Sequence, residues 1–227
     1  MKEEKIVMSL GGSLVVPGEI DVDFLKLFRD LIISKVAQGQ KFYIIVGGGK
    51  TCRKYQDGAT QVRSVTNDDL DWIGINTCLL NAMLVKVILG DLAHEKVITD
   101  LEHLPNITKP VVILGPNKPG NSSDLGAVQI AKTINAKRVM NLSNIDYAYD
   151  KDPNKFADAK KIEQISWAEY EKLIPSEWLP GLNTPFDPIA SRLAQADGME
   201  VVILNGKNIP NLEKCIDGEE FEGTHIK

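Results

Sequence analysis

The sequence predicts an α/β fold in which helices cover a mainly parallel central sheet. Short, continuous runs of Val and Ile, such as 41–46, 110–114 and 201–204, suit strands that are buried on both faces. Between these runs lie longer stretches with apolar residues three and four positions apart, the spacing of amphipathic helices. Strands that alternate with helices favour parallel pairing, and hence a sandwich of helices around one sheet.

The predicted elements follow one another along the whole chain. Strands are expected at 6–10, 41–46, 97–99, 110–114, 138–142 and 201–204. Helices are expected at 21–35, 71–89, 125–134, 167–174 and 189–197. Two turn-rich stretches, 117–123 and 180–188, are expected to be functional or connecting loops. Any boundary between two lobes would fall near residues 135–140, with one continuous sheet across it.

The composition limits the possible classes of protein. With 227 residues and 43% hydrophobic residues, the chain is long enough for one large domain with a sizeable core. A net charge of −5 argues against a nucleic-acid-binding surface. We find no uninterrupted apolar stretch of about 20 residues and no signal peptide, so we expect a cytoplasmic protein without membrane contact. Cys52, Cys78 and Cys215 lack metal or redox spacing and are expected to be free thiols, with no protein-held metal.

Two glycine-rich turns follow the first two predicted strands. Gly11, Gly12 and Ser13 end the first strand, and Gly47–Gly49 end the second. Glycine lets the backbone approach a ligand closely, and the start of a helix favours negative charge. One pair of glycines is most often a plain tight turn. Two such turns so close together in the chain predict a ligand that carries several phosphates.

The second turn imitates the end of a Walker A motif in Gly49-Lys50-Thr51. That motif needs a further glycine five residues before Gly49, where Ile44 stands within the strand, so a P-loop NTPase is excluded. Arg53 follows in the first turn of the next helix. Its guanidinium is able to form two hydrogen bonds with a phosphate, although a solvated helix residue is the simpler interpretation. Lys50 and Lys54 make the surrounding patch basic.

Two acidic residues each allow a structural and a functional interpretation. Asp71 is expected to open a helix, either as a capping acid or as a carboxylate that accepts hydrogen bonds from two ribose hydroxyls. Gly74, inside the same helix, suggests close packing or a nearby ligand. Asp187 precedes the helix at 189–197, either as its N-cap or as an acid that orients a lysine or a magnesium-bound water.

Two loops at strand ends carry further polar side chains. In the loop at 117–123, Ser122 or Ser123 is a natural N-cap, and the alternative is a loop whose hydroxyls and amides face the cleft. The segment 141–153 combines Asp, Tyr and Lys residues after a strand. Its composition is that of a surface loop, but its position makes it a candidate nucleotide-binding edge, because open α/β sheets bind ligands at strand ends.

Taken in order, these segments resemble the amino acid kinase superfamily, and most closely its UMP kinases of archaeal type. The matching residues are Gly11-Gly12-Ser13, Val46–Lys50 with Arg53, Asp71–Ile75 with Asn81-Ala82, Pro119-Gly120 with Ser122–Asp124, Asn144–Asp146 with Tyr149 and Asp152-Pro153, and Asp187–Ala190. Each motif is weak alone. Their common order over nearly the whole chain makes the resemblance specific.

The resemblance implies a three-layer αβα sandwich, a homohexamer, and phosphorylation of UMP to UDP by ATP with Mg²⁺ in pyrimidine nucleotide synthesis. It implies a single domain with a UMP lobe at about 1–135 and an ATP lobe at about 136–227. The implied UMP-binding residues are Gly48, Gly49, Arg53, Asp71, Asn117, Ser122 and Ser123. The implied ATP-binding residues are Ser9, Gly11, Gly12, Ser13, Asn144, Asp146, Tyr149 and Asp152, and the implied catalytic residues are Lys50, Arg53 and Asp187.

The chain departs from the family pattern at several positions. Many relatives carry a lysine where Ser9 stands, and most carry a glycine where Tyr147 stands. Loss of that cation is expected to slow phosphoryl transfer, with Lys50, Arg53, Lys151 or Mg²⁺ supplying the charge. Two alternatives therefore stay open. One is a kinase of the same fold for another small acid or phosphate, and the other is a non-catalytic relative that binds a nucleotide or oxyanion.

Overall fold

The computed structural model describes residues 4–153, 155–177 and 184–227, so part of the predicted 180–188 loop lies outside the described residues. The strands are β1 (Glu4–Leu10), β2 (Gln40–Val46), β3 (Val111–Leu114), β4 (Arg138–Ser143), β5 (Ala148–Tyr149), β6 (Lys161–Ile162), β7 (Gln164–Ile165), β8 (Glu200–Asn205) and β9 (Thr224–Ile226). The helices are α1 (Gly12–Val15), α2 (Val22–Ala37), α3 (Gly49–Val62), α4 (Asn67–Leu89), α5 (Ser123–Ile134), α6 (Trp167–Tyr170), α7 (Pro188–Ala196) and α8 (Ile209–Ile216).

Seven strands form one sheet in the order β3-β2-β1-β4-β8-β9-β7. The pairs β1–β2, β2–β3, β1–β4 and β4–β8 are parallel, while β8 and β9 are antiparallel. Strands β5 and β6 form a separate antiparallel ribbon. Because β1 to β4 run in the same direction, the turns that follow them lie along one edge of the sheet, where open α/β sheets bind ligands.

Helices cover both faces of the sheet. Successive strand residues point to opposite faces, so Met8 and Ile44 join a core with α2, α4 and α8 on one side. Val7 and Ile45 join a second core with α5, α6 and α7 on the other side. The predicted three-layer sandwich with a mainly parallel sheet is confirmed.

Several element boundaries differ from the prediction. Helix α4 begins at Asn67, not at Asp71, because Thr66 and Asp69 form a capping box: the Thr66 hydroxyl accepts a hydrogen bond from Asp69 N (3.1 Å) and the Asp69 carboxylate accepts one from Thr66 N (3.0 Å). The interpretation of Asp71 as a helix-opening acid is therefore wrong. The segment 97–99 makes only a single bridge, between Ile98 and Leu114, and α6 ends at Tyr170.

Helix α4 has an unusually apolar composition. In the described part of the chain, the stretch 67–92 is the one helix that is long and apolar enough to match a membrane span. Its inner side buries Ile75, Ala82, Val85 and Leu89 in the protein. Its outer side exposes Trp72, Leu80, Met83 and Val87. The helix is therefore a core helix of the sandwich that also presents an apolar outer surface.

Candidate functional site

The two glycine turns lie against each other at the ends of β1 and β2. The backbone N–H of Gly47 donates a hydrogen bond to the Leu10 carbonyl at 2.9 Å. A methyl group added at Gly12 would lie 2.2 Å from the Gly47 oxygen and 2.5 Å from the Gly49 nitrogen. Gly49 has a φ of +61°, and a methyl group there would lie 2.3 Å from the Gly12 carbonyl carbon. Neither position accommodates a side chain, so the two backbones are in direct contact.

A buried asparagine side chain of α4 holds the second glycine turn in place. Asn81 of α4 is 3% exposed, and its Nδ2 donates hydrogen bonds to the carbonyl oxygens of Gly47 (2.9 Å) and Gly48 (3.3 Å). The sequence analysis gave Asn81 no role. A polar residue on the buried side of an apolar helix was the signal that pointed to it, since a buried amide needs hydrogen-bond partners.

The start of α3 offers backbone donors to an anion. The first N–H groups of a helix have no partner within the helix, and Gly48 at the N-cap supplies no side-chain hydrogen bond. Lys50 lies exposed in the first turn of this helix, and Arg53 lies exposed at the start of its second turn. Arg53 Nη2 donates a hydrogen bond to the Ser13 hydroxyl at 3.2 Å and so joins α3 to α1. The structure thus places both basic residues beside the two glycine turns, at the helix end that favours negative charge.

The loop between β3 and α5 forms the next wall of this cleft. Asp71 Oδ2 accepts a hydrogen bond from Gly120 N at 2.8 Å, which ties this loop to α4. Asn117 is exposed in the same loop. Ser122 caps α5 by accepting a hydrogen bond from Leu125 N at 3.1 Å. Ser123 lies beside the second glycine turn, since a methyl group at Gly47 would be 3.5 Å from its hydroxyl.

The carboxyl group of Asp124 contacts Ser9 near the end of β1 and the backbone of Asp187 before α7. The buried Ser9 hydroxyl donates a hydrogen bond to Asp124 Oδ1 at 3.0 Å, and Asp187 N donates one to Asp124 Oδ2 at 3.2 Å. The Asp187 carboxylate caps α7 by accepting a hydrogen bond from Ala190 N at 2.7 Å. The structural interpretation of Asp187 therefore applies, and the same residue also faces Asp124.

Asp124 is the main site residue that the sequence analysis did not single out. Asp124 as a whole is half-buried, and its carboxyl group is the part enclosed by the protein, in contact with Ser9 and Asp187. Desolvation by burial, together with the nearby Asp187, raises the pKa of Asp124 to about 7, against the smaller opposing effect of the Ser9 hydrogen bond. Strongly shifted carboxyl groups are concentrated at functional sites. The motif Ser122-Ser123-Asp124 contained this residue, but nothing near it in sequence signals the shift.

The remaining predicted residues lie beyond β4. Gly11 N donates a hydrogen bond to the Leu142 carbonyl at 2.9 Å, so the first glycine turn borders the end of this strand. Asn144 is exposed, and Asp146 Oδ1 accepts a hydrogen bond at 3.0 Å from Nδ2 of Asn205, the last residue of the neighbouring strand β8. Tyr149 lies in β5, and Asp152 lies in the exposed segment after it, paired with Lys155 at 3.6 Å.

Lys151 is paired with a neighbouring aspartate. Lys151 Nζ lies 2.6 Å from Asp158 Oδ2, so its charge is already paired on the surface.

All three cysteines are free thiols, as expected. Cys52 and Cys78 both lie beside Gly48, and burial raises the pKa of Cys78 to about 12, which keeps that thiol protonated at neutral pH.

Comparison with known proteins agrees with this architecture. The sequence model of the amino acid kinase family matches residues 4–205. The uridylate kinases of Methanobrevibacter smithii and Pyrococcus abyssi are each 33% identical to this chain, covering 98% of it and 98% and 99% of their own lengths. The crystal structure of uridylate kinase from Archaeoglobus fulgidus superimposes with a TM-score of 0.81 at 29% identity, over 98% of this chain and 100% of that one. The chain therefore belongs to the amino acid kinase family, with archaeal uridylate kinases among its relatives.

Proposed function

We propose that the protein transfers the γ-phosphoryl group of ATP to UMP, forming UDP and ADP in pyrimidine nucleotide synthesis. The observation that carries the proposal is the direct contact between the two glycine turns. Arg53, in the helix after the second turn, donates a hydrogen bond to Ser13 of the first. Two phosphate-binding turns in contact bring a donor and an acceptor phosphate together, which phosphoryl transfer requires. The names of the archaeal relatives support UMP as the acceptor.

On the acceptor side, α3 receives the UMP phosphate. The backbone N–H groups of Gly48 and Gly49 and the Arg53 guanidinium bind its oxygens, and Lys50 adds positive charge. Asp71 accepts hydrogen bonds from the ribose hydroxyls. The acceptor site is completed by Asn117 and Ser122 on the loop before α5 and by Ser123, the first residue of α5. These residues would form the UMP lobe at about 1–135.

On the donor side, ATP occupies the edge beyond β4. The backbone of Gly11, Gly12 and Ser13 borders its phosphates, with Ser9 beneath them. The nucleotide extends along Asn144, Asp146, Tyr149 and Asp152 in the ATP lobe at about 136–227. Mg²⁺ is expected to enter with ATP, bridging its phosphate oxygens. Phosphate oxygens and water would therefore supply most of its ligands.

The chain's own residues stabilise the transfer by position and charge. Ser9 is neutral, so Lys50 and Arg53 near the start of α3 are expected to supply positive charge to the transferred group. Both act on negative charge that spreads over the phosphoryl oxygens in the transition state. Asp187 is expected to support the reaction centre through Asp124, which its backbone N–H already contacts.

The reaction is tested with a panel of acceptors. Purified protein is incubated with MgATP and UMP, CMP, dUMP, carbamate or glutamate derivatives, and ADP formation is followed. We expect rapid ADP formation with UMP, and a lower rate with dUMP because Asp71 then loses one hydroxyl partner. Turnover only with carbamate or a glutamate derivative would favour the same-fold kinase for another acid. Tight ATP or UMP binding without any turnover would favour the non-catalytic relative. Equal rates for UMP and dUMP would contradict the assigned role of Asp71.

We further propose that the protein is a homohexamer in the cytoplasm. Large apolar side chains are exposed on α3 and α4, namely Tyr55, Val62, Trp72, Leu80, Met83 and Val87. An exposed apolar surface of this kind is typical of a contact between protein chains. Light scattering is expected to give six times the 25.0 kDa chain mass, and Leu80→Lys is expected to lower it. A monomeric mass for the unaltered protein would contradict the proposal.

A further inference from the structure

The loop between β3 and α5 rests on α4 at two points. We call residues 115–122 the acceptor loop. At its start, Gly115 packs so closely on α4 that a methyl group there would lie 2.6 Å from Leu79 Cδ2. Near its end, the Gly120 N–H donates to Asp71 Oδ2 at 2.8 Å. The loop is therefore held across the cleft by one packing contact and one hydrogen bond to a carboxylate.

The backbone of Gly120 is shaped for this hydrogen bond. Gly120 has a φ of +83°, a conformation that other L-residues rarely adopt. A methyl group added at this position would meet no atom within 4 Å, so crowding does not account for the glycine. The left-handed turn instead directs the N–H group toward Asp71. A hydrogen bond from a backbone N–H to a carboxylate is one of the stronger kinds in proteins.

Asp71 keeps one carboxylate oxygen available. A carboxylate has two oxygens and about four acceptor positions, and the Gly120 N–H occupies one of them on Oδ2. Within the described ranges, no hydrogen bond is made to Oδ1. Asp71 is half-buried in the second turn of α4, in contact with the loop through Gly120 and close enough to α3 for its charge to act on Cys52. One side chain is thus placed to hold the loop and to bind a ligand hydroxyl at the same time.

We propose that Asp71 is a latch for the acceptor loop: Oδ2 holds the loop across the cleft while Oδ1 accepts the hydroxyl of the acceptor nucleotide. The proposal rests on the proposed function, because it deepens the role of the same site. The latch fixes the carboxylate and the loop before the nucleotide binds, so binding does not have to order them. Loop order and recognition of the ribose are then coupled through one side chain.

The structural half of the proposal is tested by amide hydrogen exchange on the full-length protein without nucleotide. Asp71→Ala is expected to raise the exchange rate of the Gly120 N–H about tenfold or more, because it removes the acceptor. Asp71→Asn is expected to have a smaller effect, since an amide oxygen still accepts from Gly120. Gly120→Ala is expected to accelerate exchange in the loop, because its positive φ is strained for alanine. Unchanged exchange in the loop of Asp71→Ala would overturn the latch.

A matched control separates the latch from general strain. Gly39 also has a positive φ, +93°, with no atom within 4 Å of an added methyl group, and it lies in the turn between α2 and β2, before the strand. Gly39→Ala therefore introduces a comparable strain away from the loop. We expect it to leave exchange in the acceptor loop unchanged. Equal acceleration of loop exchange by Gly39→Ala and Gly120→Ala would contradict a local latch.

The functional half is tested by kinetics with UMP. Both Asp71→Ala and Gly120→Ala are expected to raise KM about tenfold and to change kcat about threefold or less, because they impair positioning of the acceptor. Since both remove the same latch, the double variant is expected to have nearly the KM of Asp71→Ala. Strictly additive effects would overturn the coupling. Altered loop exchange without turnover on any acceptor would support the latch and refute the proposed function. Turnover with UMP together with unaltered loop exchange would support the proposed function and refute the latch.

Discussion

Asp124→Asn is expected to stabilise the protein at pH 8 by about 2 kcal/mol. Burial and Asp187 raise the pKa of Asp124 from 3.8 to about 7, so the folded state holds a proton that the unfolded state releases. Stability therefore falls as the pH rises from about 4 to about 7 and stays low above that range. A pKa raised from 3.8 to about 7 would correspond to about 4 kcal/mol of stability. Because Asp124 is partly exposed to solvent, we expect a smaller effect. Asparagine removes the charge while it can still accept from Asp187 N and donate to Ser9.

Denaturant unfolding at pH 5 and pH 8 measures this effect. The gain from Asp124→Asn is expected to be larger at pH 8 and to shrink toward pH 5. Asp30→Asn is the control, because Asp30 is 68% exposed beside Arg29 and such surface pairs contribute little. An equal gain at both pH values would show that the proton on Asp124 is not the cause. We expect the stabilised variant to turn over more slowly, since an acid that lowers stability is characteristic of functional sites.

Gly12→Ala is expected to destabilise the protein by about 3 kcal/mol and to abolish most of its turnover. The added methyl group would lie 2.2 Å from the Gly47 oxygen and 2.5 Å from the Gly49 nitrogen. Both are backbone atoms, so they cannot rotate away as a flexible side chain would. The two turns would have to separate, which moves the donor and acceptor phosphates apart. Thermal unfolding and UMP-dependent ADP formation measure the two losses.

Gly58→Ala serves as the matched substitution for this experiment. Gly58 lies in the interior of α3, and a methyl group there would meet no atom within 4 Å. We expect this variant to be more stable than the original by about 0.5 to 1 kcal/mol, because alanine favours the helix. If Gly12→Ala were tolerated as well as Gly58→Ala, the contact between the turns would not be rigid.

The parts of the site that sequence reasoning found are those with a local cause. Glycines directly after a buried strand require a close turn, so the positions of Gly11, Gly12 and Gly47–Gly49 were readable from neighbouring residues alone. The start of α4 was also a local matter. Apolar periodicity predicts a start at Asp71, but the capping box of Thr66 and Asp69 sets the start at Asn67.

Other features depend on contacts between distant residues. Ser9 and Asp124 are 115 positions apart in the chain, and Asp124 and Asp187 are 63 apart. No sequence pattern reports that these groups meet, nor that the surrounding protein raises the pKa of one of them. The hydrogen bond between Asp71 and Gly120 likewise spans 49 positions and depends on how the loop after β3 folds back on α4.

The contact between the glycine turns has a consequence for how such a protein diversifies. The separation of the two turns is set by main-chain atoms of Gly12, Gly47 and Gly49, which touch without any side chain between them. That spacing sets the distance between the donor and acceptor phosphates in the proposed reaction. Substitutions that keep these glycines and Asn81, whose side chain holds the second turn, leave this spacing unchanged. Residues of the acceptor loop other than Gly115 and Gly120 are therefore able to change toward new acceptors while the spacing of the two turns is kept.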